Sequence, residues 1–276
     1  MRLIVDCGAT KAHWCLLDGA LRRESVTEGF NLSHVSRDTV QTLVQKVRND
    51  LFQEGESPES VFVYAAGYLK DNSRLPELLQ QQFPAAAVQC ESDLVGAARA
   101  VCGRQPGVAV ILGTGSNSCQ WDGNGISAKV HTGGFILGDE GGGAVLGRLF
   151  VADYIKGLVP PELAAAFEAA YPHSYAELVR KVYREDAPAR FLGSIVPLLL
   201  PHYQDMPYVR GLVDANFRAF FERVLCRYDQ SLPVGVVGGF GHDCRDILES
   251  MGRSYGIRFS TFMPSPMEGL AAYHAL

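Results

Sequence analysis

The sequence has no cluster of lysine and arginine, no apolar run long enough to span a bilayer, and no C-x-x-C pair. Each absence removes a class of function. With 25 Lys and Arg against 30 Asp and Glu, the net charge is −5, so no surface for nucleic acid or an anionic membrane is expected. No segment approaches the roughly 20 apolar residues of a transmembrane helix. Behind Arg2, Asp6 interrupts the apolar stretch, so no signal peptide is expected either. The cysteines (Cys7, Cys15, Cys90, Cys102, Cys119, Cys226 and Cys244) are scattered and odd in number, as reduced, buried thiols of a cytoplasmic protein would be. His242 and Cys244 lie close together but have no second pair of ligands nearby, so a structural role is expected of them. There is no G-x-x-x-x-G-K-[ST], which excludes a P-loop.

What is present is ample apolar content, 47%, with 20% charged residues, enough for ordinary cores and too little charge for disorder. At 276 residues the chain has the length of about two domains. Residues 2–7, 12–17, 61–67, 86–90 and 107–113 read as strands, and "SCQWDGNGISAKVH" as a hairpin about an Asp-Gly-Asn-Gly turn. "SRDTVQTLVQKVRNDLF" spaces Val40, Leu43, Val44, Val47 and Leu51 as one face of a helix. "SDLVGAARAVCG" predicts a helix capped by Ser92 and stopped at Gly103. From 142 to 229 the pattern is helical, broken by prolines, with Val209, Leu212, Val213, Phe217, Phe220 and Val224 along one stripe. A strand "VGVVGG", a helix from about 242, a strand near 257–262 and a helix after Pro266 close the chain.

The opening repeats. Shifted by 104 residues, Thr10 falls on Thr114, Cys15 on Cys119, Asp18 on Asp122 and Gly19 on Gly123. Both stretches run strand, small-residue loop, strand, Asp-Gly turn, strand, which favours two related domains. A loop of Gly, Ala, Ser and Thr exposes backbone N–H groups and hydroxyls to an anion, so two of them suit a polyphosphate. Lys11 adds a point charge. Asp6, ending the first strand beside such phosphates, calls for a cation, and magnesium is the natural one.

These residues carry a family resemblance. "DCGATK", "ILGTGSN", "GGFILGDEGGGAVLG" and "VVGGFG" together resemble the N-acetylglucosamine kinase branch of the actin, sugar-kinase and heat-shock ATPase superfamily. That group also holds the activator ATPases of benzoyl-CoA reductase type. The resemblance spans residues 4–241 and implies an α/β fold of two ribonuclease-H-like domains with an interdomain cleft. The expected domains are 1–104 and 105–265, the second with a helical insertion, and the final helix 266–276 packing back on the first. The implied activity is ATP-dependent, magnesium-assisted phosphorylation of the 6-hydroxyl of an amino sugar, N-acetylglucosamine first. Gly8, Thr10, Lys11, Gly113, Thr114, Gly115 and Ser116 match the phosphate loops, and Gly238 and Gly239 the adenosine motif. Asn31, Thr132, Gly133, Gly134 and Asp139 match the sugar side. "ESDLVGAARA" matches the helix-starting base and sugar contact, hence Asp93, and Asp6 would hold the metal.

Chemistry supports the same residues. Phosphoryl transfer needs positioning, charge stabilisation and a carboxylate to take the hydroxyl proton. The sequence departs from the family at Cys7 and Ala9, where glycines are usual, and at Ala12, where a hydroxyl residue often follows the lysine. A small-molecule sugar is the expected partner, with room for a homodimer. Two other classes stay open. An activator ATPase coupled to electron transfer would need cysteines bridging a cluster at a dimer interface. A non-catalytic sugar-binding sensor is kept open by the three departures.

Overall fold

The protein is described by a computed structural model at residues 1–8, 11–29, 36–69 and 74–275. In chain order the first elements are β1 (Arg2–Cys7), β2 (Lys11–Asp18), β3 (Leu21–Glu28), α1 (Arg37–Leu51), β4 (Ser60–Ala65), α2 (Leu75–Gln82), β5 (Ala87–Ser92) and α3 (Asp93–Cys102). Then come β6 (Gly107–Leu112), β7 (Ser116–Trp121), β8 (Ile126–Ala128), α4 (Gly134–Leu137), α5 (Gly143–Tyr154), α6 (Pro161–Ala170), α7 (Tyr175–Tyr183), α8 (Pro188–Gly193), α9 (Val196–Leu199) and α10 (Pro207–Arg223). The chain ends with β9 (Val234–Val237), α11 (Gly239–Asp243), α12 (Arg245–Ser254), β10 (Phe259–Met263) and α13 (Met267–Ala275). No helix among the described residues is long and apolar enough to cross a membrane.

Two compact units result. One comprises Met1–Ala109, Trp121–Ile126 and Ser265–Leu276, the other Val110–Gln120 and Ser127–Pro264. Two five-stranded sheets run in the same order, β3-β2-β1-β4-β5 and β8-β7-β6-β9-β10. The repeat read from sequence is therefore a repeat of topology. Cys15 and Cys119, matched by the 104-residue shift, are both fully buried on their sheets, and Gly19 and Gly123 both take positive φ, 58° and 100°, after their aspartates.

In the first unit, β1 pairs antiparallel with β2 and parallel with β4, which pairs parallel with β5. One sheet face presents Leu3, Val5, Cys7, Ala12, Trp14, Val61 and Val63 to the buried stripe Val40, Val44, Val47 and Leu51 of α1. Each large side chain so buried contributes about 1.5–3 kcal/mol. Ser36 caps α1 by accepting from the Thr39 N–H at 3.1 Å. Strand alternation sends Ile4 and Asp6 to the opposite face, which α3 and α13 cover. Here α3 lies so close to β4 that a Cβ on Gly96 would stand 2.8 Å from Tyr64.

In the second unit α10 buries Val209, Val213, Asn216, Phe217, Phe220 and Phe221. The helix ends at Arg223, so Val224, expected on its stripe, is its terminal cap, and Leu212 is only half-buried.

Candidate active site

In the first unit the sheet brings two aspartates together. Asp6 is the penultimate residue of β1, in register with Tyr64 of β4, and Asp93 follows β5 as the first residue of α3. Both therefore stand at the carboxyl ends of parallel strands, where open α/β sheets bind ligands. Ser92 caps α3, its hydroxyl accepting from the Val95 N–H at 3.3 Å, and the Asp93 carboxylate accepts from the Leu94 N–H at 2.8 Å. Asp6 is half-buried, and desolvation, followed by repulsion from Asp93, pushes its carboxyl up to about 7. A desolvated carboxylate beside a like charge is a group that a cation relieves. The donor set fits magnesium, which needs only one or two carboxylates besides water and phosphate.

Two of the three departures from the family, Cys7 and Ala12, have a structural explanation on this strand pair. Cys7 and Ala12 are buried in the sheet core, paired with each other across β1 and β2. Their side chains point away from the loop surface, so a hydroxyl at position 12 would enter the core and not reach a phosphate. Lys11, one position before, is exposed. The Gly8 N–H donates to the Lys11 carbonyl at 2.9 Å and closes the hairpin. Thr10, Ala9 and Asn31 lie outside the described residues.

In the second unit the loop after β6 is pinned by α5. The N–H groups of Gly143 and Ala144, in the first turn of α5, donate to the carbonyls of Gly113 and Thr114 at 2.9 and 2.8 Å. In a planar trans peptide the N–H points opposite to the C=O. The Thr114 and Gly115 N–H groups are consequently aimed away from the helix, as an anion nest requires. Ser116 opens β7 just beyond.

Against this loop stands Asp139. A Cβ on Gly115 would lie 2.7 Å from Asp139 Oδ2, so only glycine leaves the carboxylate its place. Asp139 is the one non-glycine residue with positive φ, 52°, among the described residues. Such a conformation costs energy, less for aspartate than for most residues, and clusters at functional sites. The Asp139 N–H donates to the Thr132 carbonyl at 3.0 Å, which ties the segment Thr132, Gly133 and Gly134 back onto it. Burial raises its carboxyl above the usual range; the Gly134 N–H works against this and the nearby Glu140 with it.

Sequence reasoning missed the residue that shapes this loop. Asn216, 2% exposed, accepts from the Gly141 N–H at 3.0 Å and donates to the Gly142 carbonyl at 3.2 Å. Two turns on, Arg223 pairs with Glu140 at 2.8 Å. The available signal was an asparagine within the apolar stripe of α10.

A cavity of about 690 Å³ opens beside the loop. Gly113 and Thr114 form one edge; Gly193, Val196, Pro197, Leu200 and Pro201 form a wall; Gly239, Phe240 and Asp243 of α11 form another. Gly238, before α11, holds φ at 120° and a Cβ there would strike the Leu112 carbonyl at 2.3 Å, so the backbone alone demands glycine. Gly239 is exposed toward open space. A second cavity, about 670 Å³, lies at the opposite end of β1; its Arg2, Asp18, Arg22, Glu59 and Glu268 mix both charges and include none of the expected residues.

No family model and no curated protein matches the chain. Among solved structures, one named "Putative N-acetylglucosamine Kinase" from Porphyromonas gingivalis is 38% identical, with TM-score 0.93, over 100% of this chain and 99% of that one. A structure of the same name from Chromobacterium violaceum is 19% identical, with TM-score 0.77, over 99% and 98%. The ROK hexokinase of Thermus thermophilus, at 16% identity and TM-score 0.53 over 99% and 97%, shares the fold. By its full-length identity to the first of these, the chain belongs to the N-acetylglucosamine kinase-like family of the actin-like ATPase and sugar-kinase superfamily.

Proposed function

We propose that the protein transfers the terminal phosphoryl group of ATP to the 6-hydroxyl of an amino sugar, N-acetylglucosamine before others. The observation that carries this reading is the seat of Asp139. A carboxylate suited to holding sugar hydroxyls is locked, at a costly backbone angle, against the loop whose N–H groups suit phosphate. The 38% identity to a structure with that name supports the choice of sugar.

In this reading Thr114, Gly115 and Ser116, with Gly8, Thr10 and Lys11, hold the phosphates, and Gly113 leaves them room. The adenosine lies along Gly238 and Gly239. Asn31, Thr132, Gly133, Gly134 and Asp139 hold the sugar, which Asp93 also touches. Asp93 takes the proton from the hydroxyl as it attacks, and positioning accounts for most of the remaining acceleration. Asp6 is the residue that holds magnesium, with Asp93 beside it; the ion, when bound, supplies charge to offset that of the phosphates.

The test is a panel of N-acetylglucosamine, glucosamine and N-acetylmuramic acid with ATP, reading ADP release and sugar mass. Sugar-dependent ADP release with the highest kcat/KM for N-acetylglucosamine is expected. ADP release indifferent to every sugar would point to the activator class, and sugar binding without turnover to a sensor.

A further inference from the structure

We propose that the donor site recognises the nucleobase by shape, so that GTP and ITP serve as phosphoryl donors nearly as well as ATP. The inference rests on the kinase reading and concerns the cavity beyond the phosphate loop. Away from Gly113 and Thr114, the side chains facing this space are Val196, Pro197, Leu200, Pro201 and Phe240. None of these offers a hydrogen bond to a base edge. The backbone of the same wall is also committed. Pro197 and Pro201 carry no N–H. The Leu200 N–H donates to the Val196 carbonyl, and the Leu200 carbonyl accepts from the Tyr203 N–H at 3.1 Å.

The remaining polar groups are the N–H groups of Gly239 and Phe240 in the first turn of α11, which meet N7 of either purine alike, and Asp243, which is exposed at 67% of its side-chain area and contacts His242 Nδ1 at 3.3 Å. A carboxylate is an acceptor only, and adenine and guanine each present N–H donors. A solvated acceptor at the rim therefore separates the two bases weakly. Magnitudes decide the matter. A site that hydrogen-bonds its substrate rejects an analogue lacking the group by about 10⁴–10⁵, whereas an apolar pocket discriminates by roughly 10–200-fold. The walls of this cavity belong to the second kind. Purines fill them alike, and pyrimidines, with less ring area to bury, fill them less well.

The experiment has a turnover arm and a binding arm on the full chain. At saturating N-acetylglucosamine, kcat/KM for GTP and ITP should fall within about tenfold of ATP, inside the range of an apolar pocket. A preference for ATP over GTP beyond about tenfold would overturn the proposal, and one near about 10⁴ would show a hydrogen-bonded readout of the base. Calorimetric titration with ADP and GDP reads the same ratio without chemistry. Equal binding without turnover sinks the kinase reading and sustains this one. Binding of ADP without GDP sinks this one alone, and binding of neither sinks both. Asp243→Ala should leave the ADP-to-GDP ratio unaltered; a change beyond tenfold would make Asp243 a base reader and refute recognition by shape.

Discussion

Asn216 Oδ1 accepts the Gly141 N–H at 3.0 Å from within the buried face of α10, while its amide donates to the Gly142 carbonyl at 3.2 Å. One side chain thus satisfies backbone groups of two successive residues in the loop that carries Asp139. Asn216→Leu keeps the volume and orphans both groups, at about 1–3 kcal/mol each. The expected result is a melting temperature lower by several degrees and a raised KM for the sugar, with the KM for ATP little altered. An unchanged sugar KM would separate Asn216 from the site.

Glycine substitutions at the phosphate loop should divide by space. At Gly113 a Cβ meets nothing within 4 Å, so Gly113→Ala should melt as the wild type does or slightly higher. Its KM for ATP should nevertheless rise, because the methyl occupies the approach to phosphate. Gly115→Ala drives a methyl into Asp139 and should lower kcat and raise the sugar KM together. Equal effects of both variants on melting and on each KM would contradict the separate roles.

How much of this was legible in the sequence follows from the range of each interaction. Local patterns carried through: the stripe of α1, the cap at Ser92, the stop at Gly103, and the paired Asp-Gly turns. The order of small loops also foretold two sheets of one topology. Contacts between distant segments left no such trace. That Asp139 presses on Gly115 depends on how α5 pins the loop after β6, and the sequence showed only clustered glycines. The burial of Cys7 and Ala12 depends on strand pairing, which turned an apparent loss of phosphate contacts into ordinary core packing. Helix α2, short and opened by Pro76, went unread.

Asp6 gives a signature in pH. Its carboxyl is pushed up from 3.8 to about 7 in the folded protein. The folded state then binds the extra proton between those values, so its stability is greatest below the lower and declines as pH rises through the higher. His274, lowered to about 4 by burial and by Arg99, Arg2 and Arg104, acts in the opposite sense between pH 4 and 6.5. The Asp6 contribution is therefore read as the difference between wild type and Asp6→Asn. Without metal, Asp6→Asn should be the more stable at pH 8 by several degrees. Magnesium should raise the melting temperature of the wild type at pH 8 more than at pH 6, and that of Asp6→Asn at neither. An equal magnesium effect on both proteins would remove the metal from Asp6.

Asp93→Asn should lower kcat by about 10²–10⁴ with sugar and nucleotide binding largely kept, since asparagine retains size and an acceptor oxygen but takes no proton. That is about 3–5 kcal/mol of barrier. A residue serving only the helix start would accept asparagine without loss. Asp139→Asn should instead weaken the sugar's affinity at least as much as turnover. Near-wild-type kcat in a folded Asp93→Asn protein would sink the assignment of the base.

The most direct measurement is the structure of the product. With N-acetylglucosamine, ATP and magnesium, one phosphate should appear on the sugar for each ADP formed, and phosphorus–proton coupling should place it on the 6-oxygen. ADP formed without sugar phosphate, or a phosphate on any other oxygen, would contradict the account.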